Sequence, residues 1–189
     1  MTINIRIETE FGTIRAELYD SEAPITTTNF LHYVDEGLYD RGRFHRTVTL
    51  ENNANANLEL TDEDRNGRQL PNDQVQIEVI QASVNADRVD ELDGPIPLER
   101  TSETGLQHLD GTLSMARFTP NSAESDFFIC INDQPELDFG GKRNQDGQGF
   151  AAFGRVTEGM DVVRTTQRQP ADGQQLSPPV PIVKIEREK

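Results

Sequence analysis

The stretch APITTTNFLHYVDEGLYDRGRFHR, residues 23–46, has the most informative pattern in the sequence. Pro24 suits the first turn of a helix, because the N–H that proline lacks would be unbonded there. Apolar side chains at helical spacing then fall on one face, namely Phe30, Leu31 and Val34. Gly37 is a plausible stop for such a helix. The stretch therefore predicts a helix over residues 24–36 and, after a turn, a strand over residues 43–48.

Outside this stretch, apolar residues alternate with polar ones in short runs that predict β-strands. Two runs joined by the turn EFG predict an N-terminal hairpin; its inward residues are Ile3, Ile5, Ile7, Ile14, Ala16 and Leu18. Further strand signals follow at residues 75–81, 112–117, 127–131, 151–156 and 180–186. Residues 159–167 predict a second helix, and residues 168–179 an extended linker. About eight short strands and two helices favour an all-β barrel or sandwich, in a single domain over residues 1–189.

The chain is strongly acidic, with a net charge of −15 from 33 acidic and 18 basic residues. Such a charge argues against nucleic acid or an anionic membrane as the main partner, because phosphate binding needs clustered lysine and arginine. No run approaches the roughly 20 apolar residues of a membrane span. The segment MTINIRIET shows no apolar signal region, so we expect a cytoplasmic protein, with the periplasm as the alternative if a leader has been removed.

Residue types that carry covalent or metal chemistry are scarce. The single Cys130 excludes an intramolecular disulfide, and its apolar surroundings FFICI predict a buried structural thiol. Three histidines and one cysteine make a zinc enzyme improbable. We therefore expect no metal or cofactor.

The segment between residues 51 and 74 is long and polar for a loop, which is typical of functional or mobile insertions. Within it, oxygen-bearing residues stand at calcium-loop positions 1, 3, 5 and 12, namely Asp62, Asp64, Asn66 and Asp73. Gly67 stands at position 6, but Gln69 replaces the usual aliphatic residue at position 8. The flanks favour coil and strand rather than helices, so an acidic solvated loop is the main interpretation and a calcium site the alternative.

The run RGRFHRTVTL, residues 41–50, raises the question of function. By strand alternation, Phe44 and Arg46 share one face and His45 points the other way, which suits a structural role. Arg46 is then either an ordinary solvated arginine or one directed at a substrate. The local residues leave both open.

Several segments in chain order resemble the cyclophilins, a family of peptidyl-prolyl cis–trans isomerases, from about residue 3 to residue 186. They are residues 23–46 together with GTLSMAR, SDFFICIND, LDFGG and FAAFGRVTEGMDVV. The resemblance implies a closed eight-stranded antiparallel barrel with a helix capping each end, and an insertion between the third and fourth strands. It also implies rotation about X–Pro bonds in protein substrates, without a cofactor.

The resemblance places a catalytic arginine at Arg46 and an orienting glutamine at Gln81, which should share its strand face with Ile77 and Val79. An arginine suits this chemistry because its fork of donors is fixed and always charged. Substrate contacts are implied for Phe44, Val79, Ala116, Arg117, Asp126, Phe128, Glu136, Leu137 and Phe150.

Several positions in and beside this set depart from the family pattern. Glu78 stands near an aromatic wall position, Glu136 where tryptophan is common, Phe150 where a histidine often occurs, and Asp126 where glutamine is common. We expect Asp126 or Glu136 to reach Arg46 and compete with the substrate carbonyl. The predicted result is a slower isomerase that binds cyclosporin-type inhibitors weakly.

Three functions stay open from the sequence. The first is a monomeric isomerase that acts on proline-containing peptides and unfolded proteins. The second is a proline-peptide binding module with weak or no turnover. The third makes the insertion a partner-docking or calcium-stabilised arm, with isomerisation secondary. Catalysis at low enzyme-to-peptide ratios separates the first from the second, because a binding module shifts populations only stoichiometrically.

Overall fold

A computed structural model of the protein describes residues 2–53 and 75–189. The possible calcium ligands between residues 62 and 73 lie outside these ranges and stay a prediction. The strands of the described part are β1 Thr2–Thr9, β2 Gly12–Tyr19, β3 Arg43–Val48, β4 Val79–Ser83, β5 Thr112–Met115, β6 Phe127–Cys130, β7 Ala152–Glu158, β8 Ala171–Asp172 and β9 Gln175–Arg187. The α-helices are α1 Pro24–Asp35, α2 Thr101–Thr104 and α3 Met160–Gln167. Two 3₁₀ segments, Ala86–Glu91 and Pro135–Leu137, lie in the connections.

The nine described strands belong to one antiparallel sheet. Eight of them form a ring in the order β1-β2-β7-β5-β6-β4-β3-β9, which the pairing of β9 with β1 closes, and β8 pairs with β9 beside the ring. The predicted closed barrel of eight strands is therefore confirmed. Each strand of the ring has a neighbour on both sides, so no long row of backbone donors and acceptors is left at an edge.

Closure depends on the length of β9. Its first part pairs with β3, where Arg43 faces Pro181, and its last part pairs with β1, where Ile7 faces Ile185. The prediction of an extended linker over residues 168–179 is wrong in part, because β8 and the start of β9 form a small hairpin there. The prolines that follow in β9 favour a linker over a strand in the sequence pattern, because proline has no N–H for strand pairing.

The barrel interior is filled by aliphatic side chains from alternating strand positions and by a cluster of aromatic rings. Phe30 of α1 reaches into this core and contacts three rings at centroid distances of 5.1–5.3 Å, those of Tyr39, Phe127 and Phe153. The predicted helices are confirmed within a residue or two, and α2 is an addition. None of the described helices has the length and apolarity that a membrane crossing needs.

Truncation of Phe30 tests this aromatic core. Phe30 is fully buried, so Phe30→Ala is expected to lower the free energy of unfolding by about 3–5 kcal/mol, as for other large-to-small core changes. Urea denaturation followed by far-UV circular dichroism measures the change. Phe139 is 49% exposed, and Phe139→Ala serves as the control, with an expected change within about 0.5 kcal/mol. Equal effects of the two substitutions would contradict the assignment of Phe30 to the core.

Candidate active site

Arg46 lies on the outer face of the barrel because β3 contains a β-bulge. The pairing register with β4 shifts between Phe44, which faces Ala82, and Arg46, which faces Gln81. The prediction that Phe44 and Arg46 share a face is therefore wrong. Phe44 is fully buried in the barrel core, whereas Arg46 lines an external pocket. Strict alternation fails here because the extra residue of a bulge is left out of the pairing.

The guanidinium of Arg46 is held by two amide side chains. Nη1 donates to Oε1 of Gln81 at 3.0 Å. Nε and Nη2 both donate to Oε1 of Gln174, at 3.0 and 2.8 Å. Gln174 is itself fixed, since its side chain donates to the carbonyl of Asn52 and its carbonyl accepts the N–H of Thr47. These bonds hold the plane of the guanidinium at the edge of the pocket.

Asp126 extends this network on the other side of Gln81. Its Oδ2 accepts a hydrogen bond from Nε2 of Gln81 at 3.0 Å and another from Nε2 of His45, also at 3.0 Å. In the part of the chain that the structure describes, the link from Asp126 to Arg46 runs through Gln81. The expected competition of the Asp126 carboxylate with the substrate carbonyl is therefore replaced by an indirect contact.

An apolar floor lies next to this polar row. Its buried residues are Val48, Ile77, Val79, Phe128, Cys130, Leu137 and Phe150, with Ala116 packed against them. The ring of Phe128 meets that of Phe150 edge to face, with centroids 5.5 Å apart. This cluster is separate from the barrel core and lies on the other side of the sheet. It offers an apolar surface of the kind that a pyrrolidine ring fits.

Cys130 belongs to this floor and does not act as a nucleophile there. The thiol is free and fully buried, as the sequence predicted. Burial raises its pKa well above the ordinary value, so the thiolate is suppressed. Cys130 therefore packs as a small apolar residue.

Arg117 forms one wall of the pocket. Its guanidinium makes a bidentate ion pair with Asp146 at 2.9 and 3.0 Å, and Nε donates to the carbonyl of Gly149 at 2.8 Å. The same group lies over the ring of Phe150, 5.1 Å from its centroid. The side chain thus ties the loop before β7 to the pocket wall.

The pocket has a volume of about 520 Å³. The structure brings eight predicted site residues besides Arg46 to its lining, namely Gln81, Val79, Ala116, Arg117, Asp126, Phe128, Leu137 and Phe150. Gln81 shares its face with Ile77 and Val79, as predicted.

Two predicted substrate contacts are not brought to the pocket. Phe44 lies inside the barrel against Phe127, 6.2 Å between ring centroids. Glu136 does not line the pocket; its Oε2 accepts the backbone N–H of Lys142 at 2.8 Å, which stabilises the loop after Leu137. Glu78 also points away, because its carboxylate accepts hydrogen bonds from Asn132 and Gln167.

Several residues in or beside the site are not among the predicted ones, including Gln174, Arg143 and His108. Gln174 lies in the segment predicted to be a linker, and Arg143 lies in the glycine-rich loop GGKRNQDGQG, residues 140–149. Arg143 lines the pocket, and its Nη1 donates to the carbonyl of Val75 at 2.7 Å. His108 packs behind the pocket. Gln174, Arg143 and His108 lie outside runs of regular periodicity, so the residue pattern carries no signal for them.

His108 supports Phe128 from below. The two rings are nearly parallel, with an angle of 14° and centroids 6.2 Å apart. Nδ1 lies 2.7 Å from Oδ1 of Asp138, and Nε2 lies 2.8 Å from Oγ of Ser114. Since a carboxylate can only accept, Nδ1 carries the proton and Nε2 accepts from the hydroxyl. Burial lowers the pKa of His108, which agrees with this neutral form.

The family comparison agrees with this site. The model of the cyclophilin-type peptidyl-prolyl cis-trans isomerases matches residues 4–187. The chain therefore belongs to this family of isomerases, and the predictions of family and of isomerase function are confirmed.

Within residues 2–53 and 75–189, no group of three or more histidine, cysteine or acidic side chains could hold a metal ion.

Individual relatives give the same result. The chain is 32% identical over 160 residues to peptidyl-prolyl cis-trans isomerase cyp18 of Streptomyces antibioticus, covering 84% of this chain and 80% of that protein. It is 31% identical over 160 residues to peptidyl-prolyl cis-trans isomerase B of Escherichia coli K12, with the same coverage. The crystal structure of a Cryptosporidium parvum cyclophilin-type isomerase has the same fold, with a TM-score of 0.71, 20% identity and coverage of 100% of this chain and 99% of that one. A second structure of that protein was determined in the presence of the dipeptide Ala-Pro.

The neutral state of His108 gives a prediction for the pH dependence of stability. A histidine whose pKa is lowered by folding binds more protons when unfolded, so unfolding is favoured as pH falls below the ordinary value of 6.5. The free energy of unfolding of the wild type is therefore expected to decline as the pH falls below 6.5. In His108→Gln, which cannot titrate, this decline is expected to be shallower. Urea titrations at several pH values between 7.5 and 5 measure both slopes; identical slopes would contradict the assignment.

Proposed function

We propose that this protein catalyses cis–trans isomerisation of X–Pro bonds in flexible and unfolded protein segments, with Arg46 as the catalytic residue. The observation that carries the proposal is the position of Arg46 beside the apolar floor around Phe128, with its guanidinium fixed by Gln81 and Gln174. A proline ring on that floor would bring its amide within reach of the guanidinium.

The reaction needs no bond to break. Rotation about an X–Pro amide has a barrier of roughly 18–20 kcal/mol because resonance keeps the amide planar. In the twisted state the prolyl nitrogen regains its lone pair and the carbonyl loses conjugation. A donor that bonds these atoms more strongly in the twisted than in the planar state lowers the barrier.

The residues divide this task between them. Phe128, Leu137 and Phe150 would hold the ring by apolar contact, and Arg46 would donate to the prolyl nitrogen or the neighbouring carbonyl. Gln81 acts through Arg46 as a positioning residue, since its Oε1 accepts from Nη1. The mechanism uses no metal or cofactor.

The substrates and setting of the enzyme follow from the same features. An open pocket on the barrel surface suits exposed prolines in unfolded chains rather than folded ones.

We propose that the protein is a monomer, because each strand of the ring already has two neighbours. We also propose that neither nucleic acid nor a membrane is its partner, because the net charge is −15. Size-exclusion chromatography with light scattering tests the oligomeric state.

We also propose a cytoplasmic location, with the periplasm as the alternative. The buried free thiol of Cys130 is compatible with a reducing compartment. Fractionation of native cells, followed by immunoblotting, decides between the two compartments.

The catalytic role of Arg46 is tested by exchange NMR on a short Ala-Pro peptide at catalytic enzyme concentration. The wild type is expected to accelerate cis–trans exchange, and Arg46→Ala to lower kcat/KM by about 100-fold, the effect of losing a transition-state donor. Arg155 is an exposed arginine in β7, so Arg155→Ala is the matched control and should match the wild type. A folded wild type that binds the peptide without accelerating exchange would indicate a binding module instead.

The role of Gln174 is tested by a double-mutant cycle. Because Gln174 accepts two hydrogen bonds from Arg46, Gln174→Ala is expected to lower kcat about threefold to tenfold with a smaller effect on KM. In the Arg46→Ala background it should have no further effect, since it acts through Arg46. Gln107→Ala, at an exposed residue outside the site, is the control. An additive loss in the double mutant would contradict a positioning role.

A further inference from the structure

The rim of the pocket carries an unusually exposed aromatic side chain. Phe118 lines the pocket, and it is 85% exposed. Its backbone is fixed on both sides, because its N–H donates to Oγ of Ser122 at 2.8 Å and its carbonyl accepts from Nη1 of Arg117 at 3.1 Å. A ring held out into solvent from a fixed backbone is available to contact a bound peptide.

The same pocket is also lined by an exposed acidic residue. Glu124 lines the proline pocket and also an adjoining groove of about 780 Å³. Its backbone is anchored, since its carbonyl accepts from Nδ2 of Asn29 at 2.7 Å. Within residues 2–53 and 75–189, the Glu124 carboxylate forms no ion pair.

The positive charge of the neighbouring Arg117 is already neutralised by an ion pair. Arg117 directly precedes Phe118, but its guanidinium is paired with Asp146 and stacked on Phe150. A cation at the rim would therefore be near the negative charge of Glu124 and the aromatic ring of Phe118. The net charge of −15 adds a long-range attraction for cationic peptides.

We propose that Phe118 and Glu124 form a cation subsite, which binds a lysine or arginine side chain that flanks the isomerised proline. The aromatic face and the carboxylate would hold the cation between them, a combination that favours ammonium and guanidinium groups over neutral side chains. This inference rests on the proposed isomerase function and adds to it a preference for basic sequences around proline.

The test measures catalysed exchange by NMR in a set of peptides built on Ala-Ala-Pro-Ala-Ala. Each position within two residues of the proline is replaced in turn by lysine, by norleucine as the uncharged counterpart, and by glutamate. At one position at least, kcat/KM for lysine is expected to exceed that for norleucine about fivefold at 20 mM salt, and the ratio should shrink at 500 mM salt because the attraction is screened. Glutamate at the same position should be the poorest substrate.

Two substitutions assign the effect to the cation subsite. Glu124→Gln is expected to reduce the lysine-to-norleucine ratio to about one, and Phe118→Leu to lower it while retaining apolar contact. Glu103→Gln is the matched control, because Glu103 is an exposed acid on α2 outside the pocket, and it should leave the ratio unchanged.

The outcomes separate this inference from the proposed function. If the wild type does not accelerate exchange of the all-alanine peptide, the proposed function fails. If it does, but lysine and norleucine react equally at every position, the cation subsite is refuted and the isomerase stands. A wild-type ratio that survives Glu124→Gln would also refute it, because the preference would then come from another group.

Discussion

The β-bulge in β3 is the constraint on which the site depends. In a regular strand Arg46 would follow Phe44 into the barrel core, where a charged guanidinium could not be solvated. The bulge leaves His45 out of the pairing with β4 and turns Arg46 outward, opposite Gln81. Because Gln81 in turn faces Phe128 on β6, this single shift aligns the donor, its orienting amide and the pocket floor in one row across three strands.

Arg46 lies beside an apolar floor because part of the sheet packs apolar side chains on both of its faces. The inner side carries the main core, and the outer side of β4 and β6 carries the separate cluster around Phe128. His108 closes that outer cluster from behind, neutral and bonded to Asp138 and Ser114. The floor is therefore packed and supported by hydrogen bonds before any substrate arrives, which limits the ordering that a bound proline would require.

The sequence predicted most of the fold because each strand and helix has a clear period. The helix at Pro24 and the strands with alternating isoleucines need only local information. The bulge at His45 has no such local signal, so alternation assigned Phe44 to the wrong side of the strand. The contribution of Gln174 depends on a hairpin between β8 and β9 that several prolines disguise. What was missed thus comes from contacts between segments that are distant in sequence.

The contacts of Asp126 show that it orients Gln81 rather than competing for Arg46. A carboxylate has no hydrogen to donate, so Asp126 accepts from both His45 and Gln81. The amide of Gln81 must then direct its NH₂ group to Asp126 and its oxygen to Arg46. The Arg46 guanidinium has only donors and demands the same orientation of the Gln81 amide, whereas a glutamine at position 126 could donate to that amide as well as accept from it. The carboxylate at position 126 therefore reinforces the polarity that Arg46 sets, with every donor of Gln81 directed away from the guanidinium.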